Sequence, residues 1–282
     1  MGGQENNPIF QSSLIEWLDT ELSKFFYVDE LTSPRFHPIL PLEDARRTLE
    51  KLVGDSEAMF KSIIFDMDGV IIDSEPIHFE VEKRLLKDLG VAISDEECHS
   101  FVGTANKEMW LHIKDKYKLD DSVEELVEVE RTTYMDYLLS QENLKPIPGV
   151  AELIEELYRK KVKVVVASSA SVKNIEIVTR MFDLERFLEA KVTGDEVNKG
   201  KPAPDTFLYA AKMIGAEPEE CIVIEDSKNG VKAAKSAGMK CIGFKNPNSG
   251  RQDLSSADII INSFSEINYQ ELRKIYEEWQ KE

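Results

Sequence analysis

The amino-acid sequence predicts an α/β fold in which a parallel sheet is covered by helices on both faces. From residue 60 onward, short runs of branched apolar residues alternate with segments of helical periodicity, and this order of elements is typical of parallel sheets. The apolar runs show no inside–outside alternation, as expected of strands buried on both faces. The long stretch between the first two predicted strands, residues 66–161, predicts a second, all-helical unit inserted into the first crossover.

The elements of the predicted sheet follow one another in a regular order. Branched apolar runs predict six strands, at residues 62–65, 162–167, 191–193, 222–224, 241–244 and 259–261. Apolar residues at helical spacing predict the helices between them, at about residues 150–160, 172–182, 205–214 and 229–237. Each strand–helix–strand connection is expected to be right-handed.

The inserted unit is predicted at residues 74–145, and it divides the α/β core into residues 59–73 and 146–282. Segments of helical character within it lie at about residues 76–90, 94–101, 105–117 and 122–142. The chain is expected to enter this helical insert near residues 73–74 and to leave it near a stretch with two prolines and a glycine.

Residues 1–58 differ from the rest and predict a separate helical extension. Apolar residues at helical spacing predict a helix over about residues 13–26 and a second over about 41–54, with an irregular, proline-containing segment at 31–41 between them. Two such helices cannot bury their apolar faces alone, so the extension is predicted to dock on the rest of the chain or to bind a partner protein. Met59, just before the first strand, is consistent with a fused segment.

The composition predicts a soluble globular protein and disfavours several classes of partner. Hydrophobic residues make up 42% of the chain, and its net charge of −18 disfavours binding to nucleic acid or to an anionic membrane. No apolar run approaches the roughly 18 residues of a membrane helix, and no signal peptide is visible. The widely spaced Cys98, Cys221 and Cys241 predict reduced thiols and a cytoplasmic protein.

Polar side chains are concentrated where the predicted strands end. Three strands are followed by polar pairs and one helix is preceded by a lysine: Asp66 and Asp68, Ser168 and Ser169, Glu225 and Asp226, and Lys201. The carboxyl ends of parallel strands form the ligand crevice of an open α/β sheet. These side chains are therefore predicted to converge on one rim of the sheet.

Four carboxylates at close range repel one another, so a positive group is expected among them. An all-oxygen site of this kind suits Mg²⁺. The metal and Lys201 could hold a phosphate, with Ser168 and the backbone amides of residues 67–69 bonding its oxygens. One aspartate could then attack phosphorus, and the other could transfer a proton to the leaving oxygen.

Each of these features also has an ordinary structural interpretation. Asp-x-Asp pairs are common in acidic loops after strands, and Ser168 and Ser169 could cap the next helix. Lys201 could be a solvated loop residue, and the acidic pair at 225–226 could begin a helix. The occurrence of all of them, in order, at successive strand ends favours the chemical interpretation.

Together these residues resemble the four motifs of the haloacid dehalogenase superfamily of phosphohydrolases. The motifs are Asp66-Met67-Asp68-Gly69-Val70, Ser168, Lys201 in KPAPD, and Glu225-Asp226-Ser227. Asp73-Ser74-Glu75-Pro76 and the helical insert resemble the β-phosphoglucomutase-like branch, whose members carry a helical cap at this position. The resemblance covers about residues 60–265 and implies a Rossmann-like core, a mobile cap and Mg²⁺-dependent phosphoryl transfer through an aspartyl-phosphate.

Motif positions imply a role for each residue. Asp66 would be the nucleophile and Asp68 the general acid and base. The implied metal ligands are Asp66, Asp68 through its backbone carbonyl, Glu225 and Asp226. The implied phosphate-binding residues are Ser168, Ser169, Lys201 and Gly69, which shapes the loop. His78 matches a hinge histidine of the mutases, although it could equally be a polar residue on the first helix of the insert.

One position departs from the pattern of the mutases, which use an arginine of the cap to hold a second phosphate. Asn106 occupies its place, with Lys107 beside it, and a lysine substitutes only partly for the fork of an arginine. The sequence therefore favours a phosphatase over a mutase. Trp110 could stack on a sugar, although a tryptophan at such a helical position is more often part of a core.

Three functions remain open on the sequence alone. The favoured one is a Mg²⁺-dependent phosphatase acting on a small phosphorylated metabolite, with sugar phosphates the leading class. The second is a phosphosugar mutase of the β-phosphoglucomutase type. The third is a binding protein with vestigial catalytic residues, in which residues 1–58 carry the function; the intact motif residues disfavour it.

Overall fold

The computed structural model describes residues 26–28, 36–38, 60–99, 101, 106–141 and 143–281. The chain divides into two compact units, Met1–Met59 and Phe60–Glu282. In the first unit, strand β1 (Phe26–Val28) pairs antiparallel with β2 (Phe36–Pro38), and Tyr27 lies opposite His37.

The strand β2 corrects one prediction for the N-terminal unit, since residues 31–41 were expected to be irregular. Pro38 is the last residue of this two-stranded ribbon, a position where the missing N–H of proline is tolerated. Residue 26, the expected last residue of the first helix, begins β1 instead. The rest of both predicted helices lies outside the described residues, and the docking of the extension stays a prediction.

The second unit contains the predicted sheet of six parallel strands. They are β3 (Ser62–Phe65), β4 (Lys163–Ser168), β5 (Ala190–Thr193), β6 (Cys221–Glu225), β7 (Lys240–Phe244) and β8 (Ile259–Ile261). Their order across the sheet is β5-β4-β3-β6-β7-β8. The α/β class is thus confirmed, and β3 lies at the centre, between β4 and β6.

Residues of β3 alternate between two apolar layers, one on each face of the sheet. Ile63 and Phe65 belong to one core cluster, whereas Ile64 belongs to the other, and all three are fully buried. Burying one such side chain stabilises the fold by about 1.5–3 kcal/mol. Because both faces are covered, the strand lacks the alternation of an exposed sheet, which is why its sequence is a continuous apolar run.

The helical insert contains α1 (Glu75–Asp88), α2 (Asp95–His99), α3 (Asn106–Tyr117) and α4 (Val123–Ser140). Helix α4 begins at a capping box in which the Ser122 side chain accepts from the Glu125 N–H and Glu125 accepts in return. Helices α1 and α3 both pack against α4. The two connections to the core lie side by side, since the Ile147 N–H donates to the Ile71 carbonyl at 2.9 Å.

Five helices cover the sheet: α5 (Val150–Arg159), α6 (Val172–Met181), α7 (Asp205–Met213), α8 (Lys228–Ser236) and α9 (Tyr269–Trp279). Helix α9 was not predicted, although Asn268 caps it and Tyr269, Leu272 and Tyr276 form its buried face. Cys98, Cys221 and Cys241 are buried and form no disulfide, as predicted. None of the described helices has the length and apolar character needed to cross a membrane.

Candidate active site

The site begins where β3 ends. The Asp66 N–H donates to the Ile224 carbonyl of β6 at 3.0 Å, so strand pairing holds the Asp66 backbone in place. The chain then turns back tightly, since the N–H groups of Ile71 and Ile72 both donate to the Met67 carbonyl. This turn presents the two aspartates at the carboxyl edge of the sheet, as the sequence predicts.

Gly69 occupies a position in this turn that no other residue fits without a shift. Its φ of +76° lies in the left-handed region. A β-carbon here would overlap the Asp226 carboxylate and approach Ser249 Oγ to 2.8 Å. The glycine thereby allows the loop after β3 to lie directly against the acidic pair after β6.

Lys201 lies between two of the buried carboxylates. Its Nζ donates to Asp66 Oδ1, to Glu225 Oε1 at 2.7 Å and to the Ala167 carbonyl at 3.1 Å. The lysine side chain is 6% exposed. These charge-assisted hydrogen bonds from a buried ammonium to two carboxylates hold the ends of β3 and β6 to the loop before α7.

The protonation behaviour of the site follows from burial and from an excess of negative charge. Burial raises the pKa of Asp66 well above its ordinary value, although Lys201 opposes this. Burial and the neighbouring Glu225 raise the pKa of Asp226 to about 8. Burial alone would lower the pKa of Lys201, but Asp66 and Glu225 raise it above its ordinary value. One ammonium does not balance these carboxylates, so the site favours a further cation.

The acidic residues fit a hard metal ion. Asp66, Glu225 and Asp226 offer carboxylate oxygens that all lie within 4.8 Å of one another. An all-carboxylate donor set is the kind that Mg²⁺ prefers. The carboxylate of Asp68 is not part of this group, and a role for the Asp68 backbone carbonyl as a metal ligand stays a prediction.

Ser168 and Ser169 line a cavity of about 400 Å³, together with Asp66, Asp68 and Lys201. We call it the carboxylate cavity. Ser168 Oγ donates to Asp68 Oδ2 at 3.4 Å and accepts from the Ala170 N–H at 3.0 Å. Asp68 Oδ1 is buried and has no hydrogen-bond partner among the described residues. The structure thus brings together every motif residue that the sequence singled out.

A second cavity, of about 340 Å³, lies between the helical insert and the core, and we call it the insert cavity. Its lining includes Asp68, His78, Asn106, Glu130, Tyr134 and Asn174. Asn106 Nδ2 donates to Glu130 Oε1 at 2.8 Å, and Trp110 Nε1 donates to Glu130 Oε2 at 2.6 Å. The ring of His78 stacks on that of Tyr134, with centroids 4.1 Å apart.

The candidates predicted from the insert have different positions. His78 and Asn106 line the insert cavity, whereas Lys107 ion-pairs with Glu124 at 2.9 Å and is 72% exposed. Lys107 is therefore directed to the surface, and its partial substitution for an arginine stays a prediction. Trp110 is fully buried, which agrees with its interpretation as a core residue.

Two residues that contact these cavities, Glu130 and Ser249, were not predicted from the sequence. Glu130 lies on the buried face of α4, at helical spacing from Leu126 and Tyr134, and a glutamate within an apolar stripe was a usable signal. Ser249 donates from its Oγ to Asp226 Oδ2. No local pattern marks Ser249, because it comes from a loop after β7 that meets the site only in the folded chain.

The comparisons with known proteins agree with this geometry. A family model described as haloacid dehalogenase-like hydrolase matches residues 63–244. A phosphorylated carbohydrates phosphatase of Thermotoga maritima is 34% identical over 182 residues, covering 64% of this chain and 83% of that protein. A β-phosphoglucomutase of Bacillus subtilis is 29% identical over 230 residues, covering 78% of this chain and 96% of that protein.

Solved structures resemble the second unit of the chain. CbbY of Rhodobacter sphaeroides, crystallised as a mutant with xylulose-(1,5)bisphosphate, superposes with a TM-score of 0.66 at 27% identity. The match covers 74% of this chain and 96% of that one. A crystal structure of CbbY in complex with phosphate gives the same values.

Proposed function

The chain belongs to the haloacid dehalogenase-like hydrolase family and is a phosphomonoester hydrolase. From this premise we propose that it is a Mg²⁺-dependent phosphatase of small phosphorylated metabolites, with sugar phosphates as the leading class. The observation that supports this most directly is the convergence of Asp66, Asp68, Lys201 and the 225–226 acidic pair on one cavity. The relative from Thermotoga maritima, a phosphatase of phosphorylated carbohydrates, supports the substrate class.

In the first step, a carboxylate oxygen of Asp66 attacks phosphorus, and the bond between phosphorus and the leaving alcohol oxygen breaks. Asp68, two residues on, gives its proton to that oxygen. Lys201 and Ser168 bond the oxygens of the transferring phosphate. The product of this step is an aspartyl-phosphate at residue 66 and a free alcohol.

In the second step, water attacks the phosphorus of the aspartyl-phosphate, and Asp68 takes a proton from it. Inorganic phosphate leaves and the Asp66 carboxylate is restored. Mg²⁺, held by Asp66, Glu225, Asp226 and the Asp68 carbonyl, would neutralise charge on the phosphate oxygens. The use of water instead of a sugar hydroxyl as the final acceptor distinguishes this phosphatase from a mutase.

Product analysis tests the proposal. The purified protein is incubated with Mg²⁺ and β-glucose 1-phosphate (with a trace of the bisphosphate), glucose 6-phosphate or glycerol 3-phosphate. Free phosphate is measured in each case, and glucose 6-phosphate is measured in the first. Release of phosphate that EDTA abolishes and added Mg²⁺ restores is the expected result. Conversion of β-glucose 1-phosphate to glucose 6-phosphate without release of phosphate would instead identify a mutase.

The contact between Ser249 and Asp226 gives a second test. Replacing Ser249 with alanine removes the donor that orients one carboxylate of the metal site, and loss of such an outer partner weakens metal affinity about 10–100-fold. The Mg²⁺ concentration for half-maximal activity is expected to rise by about tenfold or more, with a smaller loss of kcat.

Ser255 provides the matched control, since its Oγ donates to Asp253 Oδ1 at 2.7 Å on the surface. Ser255→Ala is expected to leave the Mg²⁺ requirement unchanged. An unchanged requirement in Ser249→Ala as well would show that Ser249 does not orient the metal ligand.

A further inference from the structure

The carboxylate cavity and the insert cavity meet at the residue that delivers the proton. Asp68 and Ser169 line both of them. If the phosphate is held beside Asp66 and Lys201, the leaving oxygen lies at Asp68. The insert cavity then begins where the alcohol part of the substrate begins, so its lining contacts the group that distinguishes one substrate from another.

Glu130 gives this second cavity a fixed carboxylate. The residue is 1% exposed, and the hydrogen bonds from Asn106 and Trp110 hold one oxygen each. Both donors are neutral, so they orient the carboxylate without cancelling its charge. A protonated His78, whose Nδ1 lies 3.8 Å from Glu130 Oε1, would offset part of that charge but leaves the Asp68 carboxylate uncompensated. Each carboxylate oxygen can accept a further hydrogen bond, which leaves Glu130 able to accept one from a ligand.

The other charged groups around the insert cavity do not give it a net positive charge. Asp68 and Glu130 are acidic, and His78 Nδ1 lies 3.8 Å from Glu130 Oε1. Arg131 borders the cavity, but its guanidinium pairs with Glu128 at 2.8 Å and is 57% exposed.

The neighbouring pKa values agree with a negative environment. Burial and the proximity of Glu130 raise the pKa of Glu82 to about 7. Burial alone would lower the pKa of His78, yet Glu130 and Asp68 raise it. The one imidazole in the described lining thus faces at least two carboxylates, and it does not offer an uncompensated positive charge to a ligand.

Two further oxygens in the cavity lack a hydrogen bond of normal geometry within the described structure. These are the Tyr134 hydroxyl and Asn174 Oδ1, both buried. Burial raises the pKa of Tyr134, and Ser74 and Asn174 lie close enough to its hydroxyl to oppose that rise. Buried polar atoms are normally paired, and ligand hydroxyl groups would pair both. Together with Glu130 they form a set of oxygen atoms suited to a polyhydroxylated molecule.

We propose that Glu130 is a specificity-determining residue that admits an uncharged or cationic, hydroxyl-bearing leaving group and excludes one that carries a second phosphate or a carboxylate. The inference rests on the proposed function and names its substrate class: monophosphates whose remaining part is not anionic. An anion beside Glu130 would meet a like charge inside a partly desolvated cavity, where repulsion is stronger than in water.

The test uses two matched pairs of phosphate esters with purified full-length protein and Mg²⁺. Glycerol 3-phosphate is compared with 3-phosphoglycerate, and open-chain glucitol 6-phosphate with 6-phosphogluconate. The neutral and anionic members of each pair differ by a distal carboxylate. The measured quantity is the ratio of kcat/KM for the neutral member to that for the anionic member, in whichever pair is hydrolysed faster.

Glu130→Gln removes the charge and keeps the shape. Asn106 can turn its amide so that its oxygen accepts from the new glutamine, which preserves both hydrogen bonds to residue 130. Glu124→Gln is the matched control, because it removes one carboxylate from the same helix at a position that is 72% exposed. We expect the wild type and Glu124→Gln to prefer the neutral member, and Glu130→Gln to lower the ratio by about tenfold or more.

Two results would overturn the inference. One is a wild-type enzyme that hydrolyses the neutral and anionic members equally well, which needs no variant and so does not depend on the folding of Glu130→Gln. The other is a folded Glu130→Gln variant with the wild-type ratio. If the wild type releases phosphate from none of the four esters, the proposed substrate class of small sugar-like monophosphates fails, and this outcome is distinct from both.

Discussion

Asparagine in place of Asp66 is expected to lower the rate of phosphate release by about 10⁴-fold or more, because the amide oxygen is a poor nucleophile and no aspartyl-phosphate can form. The fold should persist. Asp66 is one of several buried carboxylates that repel one another. The bond from Lys201 to Glu225, 2.7 Å in the wild type, does not involve Asp66 and is expected to persist in the variant. The melting temperature of the metal-free protein is therefore expected to stay the same or to rise.

A loss of activity alone would not separate a nucleophile from a metal ligand, because Asp66 is a candidate for both roles. Mass spectrometry of protein quenched with acid during turnover makes the distinction, first on the intact protein and then on its peptides. The wild type is expected to carry one added phosphoryl group on the peptide that contains Asp66, and Asp66→Asn none. Asp253→Asn, on the surface at 60% exposure of the side chain, is the control for the amide substitution. Near-normal phosphate release by Asp66→Asn would disprove the nucleophile assignment.

The edge of the sheet that carries the candidate active site was predictable from the sequence, because each strand and the polar residues after it are adjacent along the chain. A continuous apolar run predicts a strand buried on both faces, and the polar residues that follow must lie at its carboxyl end. In a parallel sheet these ends meet at one edge, so Asp66, Ser168 and Glu225 could be placed together without knowing any distance. The glycine after Asp68 follows the same logic, since the turn needs a residue that tolerates positive φ.

The contacts that tune the site depend on pairings between distant parts of the chain. Ser249 reaches Asp226 from the loop after β7, and Asn246 of the same loop donates to the Gly69 carbonyl at 3.0 Å. Asn248 bonds Asp73, where the chain enters the insert, at 2.6 Å. Nothing in the local sequence specifies these partners, because they follow from how β7 lies in the sheet.

In the helical insert, a different feature could not be predicted from the sequence. Its helices were predictable from periodicity, but the direction of each side chain relative to the core was not. Asn106 and Lys107 are adjacent in sequence, yet Asn106 faces the insert cavity while Lys107 pairs with Glu124 on the surface. Helical geometry turns neighbouring residues about 100° apart, so two residues adjacent in sequence need not face the same cavity.

Methionine in place of Lys201 is expected to have the largest effect on stability. The ammonium contacts Asp66 and Glu225 in the interior, and its loss leaves buried carboxylates without their cation. Breaking a buried pair in this way costs about 3–5 kcal/mol in the free energy of unfolding. Phosphate release should also be lost, because no other described cation lies on Asp66.

The loss of unfolding free energy caused by Lys201→Met is expected to increase as pH rises. Burial already raises the pKa values of Asp66 and Asp226 above the value near 4 of an unfolded aspartate. Without the lysine, which lowers both, they rise further. The folded variant then binds more protons than the unfolded chain, so stability is lost as pH rises from about 4 through the folded pKa values, and the deficit is complete above them.

Urea unfolding in EDTA, at about pH 5.5 and about pH 8.5, measures this dependence. The difference in unfolding free energy between wild type and Lys201→Met should be larger at the higher pH, and Mg²⁺ should reduce it there by supplying the missing positive charge. Lys274→Met, at a lysine that is 65% exposed and pairs with Glu271 at 2.8 Å, should change stability by less than about 1 kcal/mol at either pH. A deficit in Lys201→Met that is independent of both pH and Mg²⁺ would mean that the lysine stabilises the protein through packing and not through its charge.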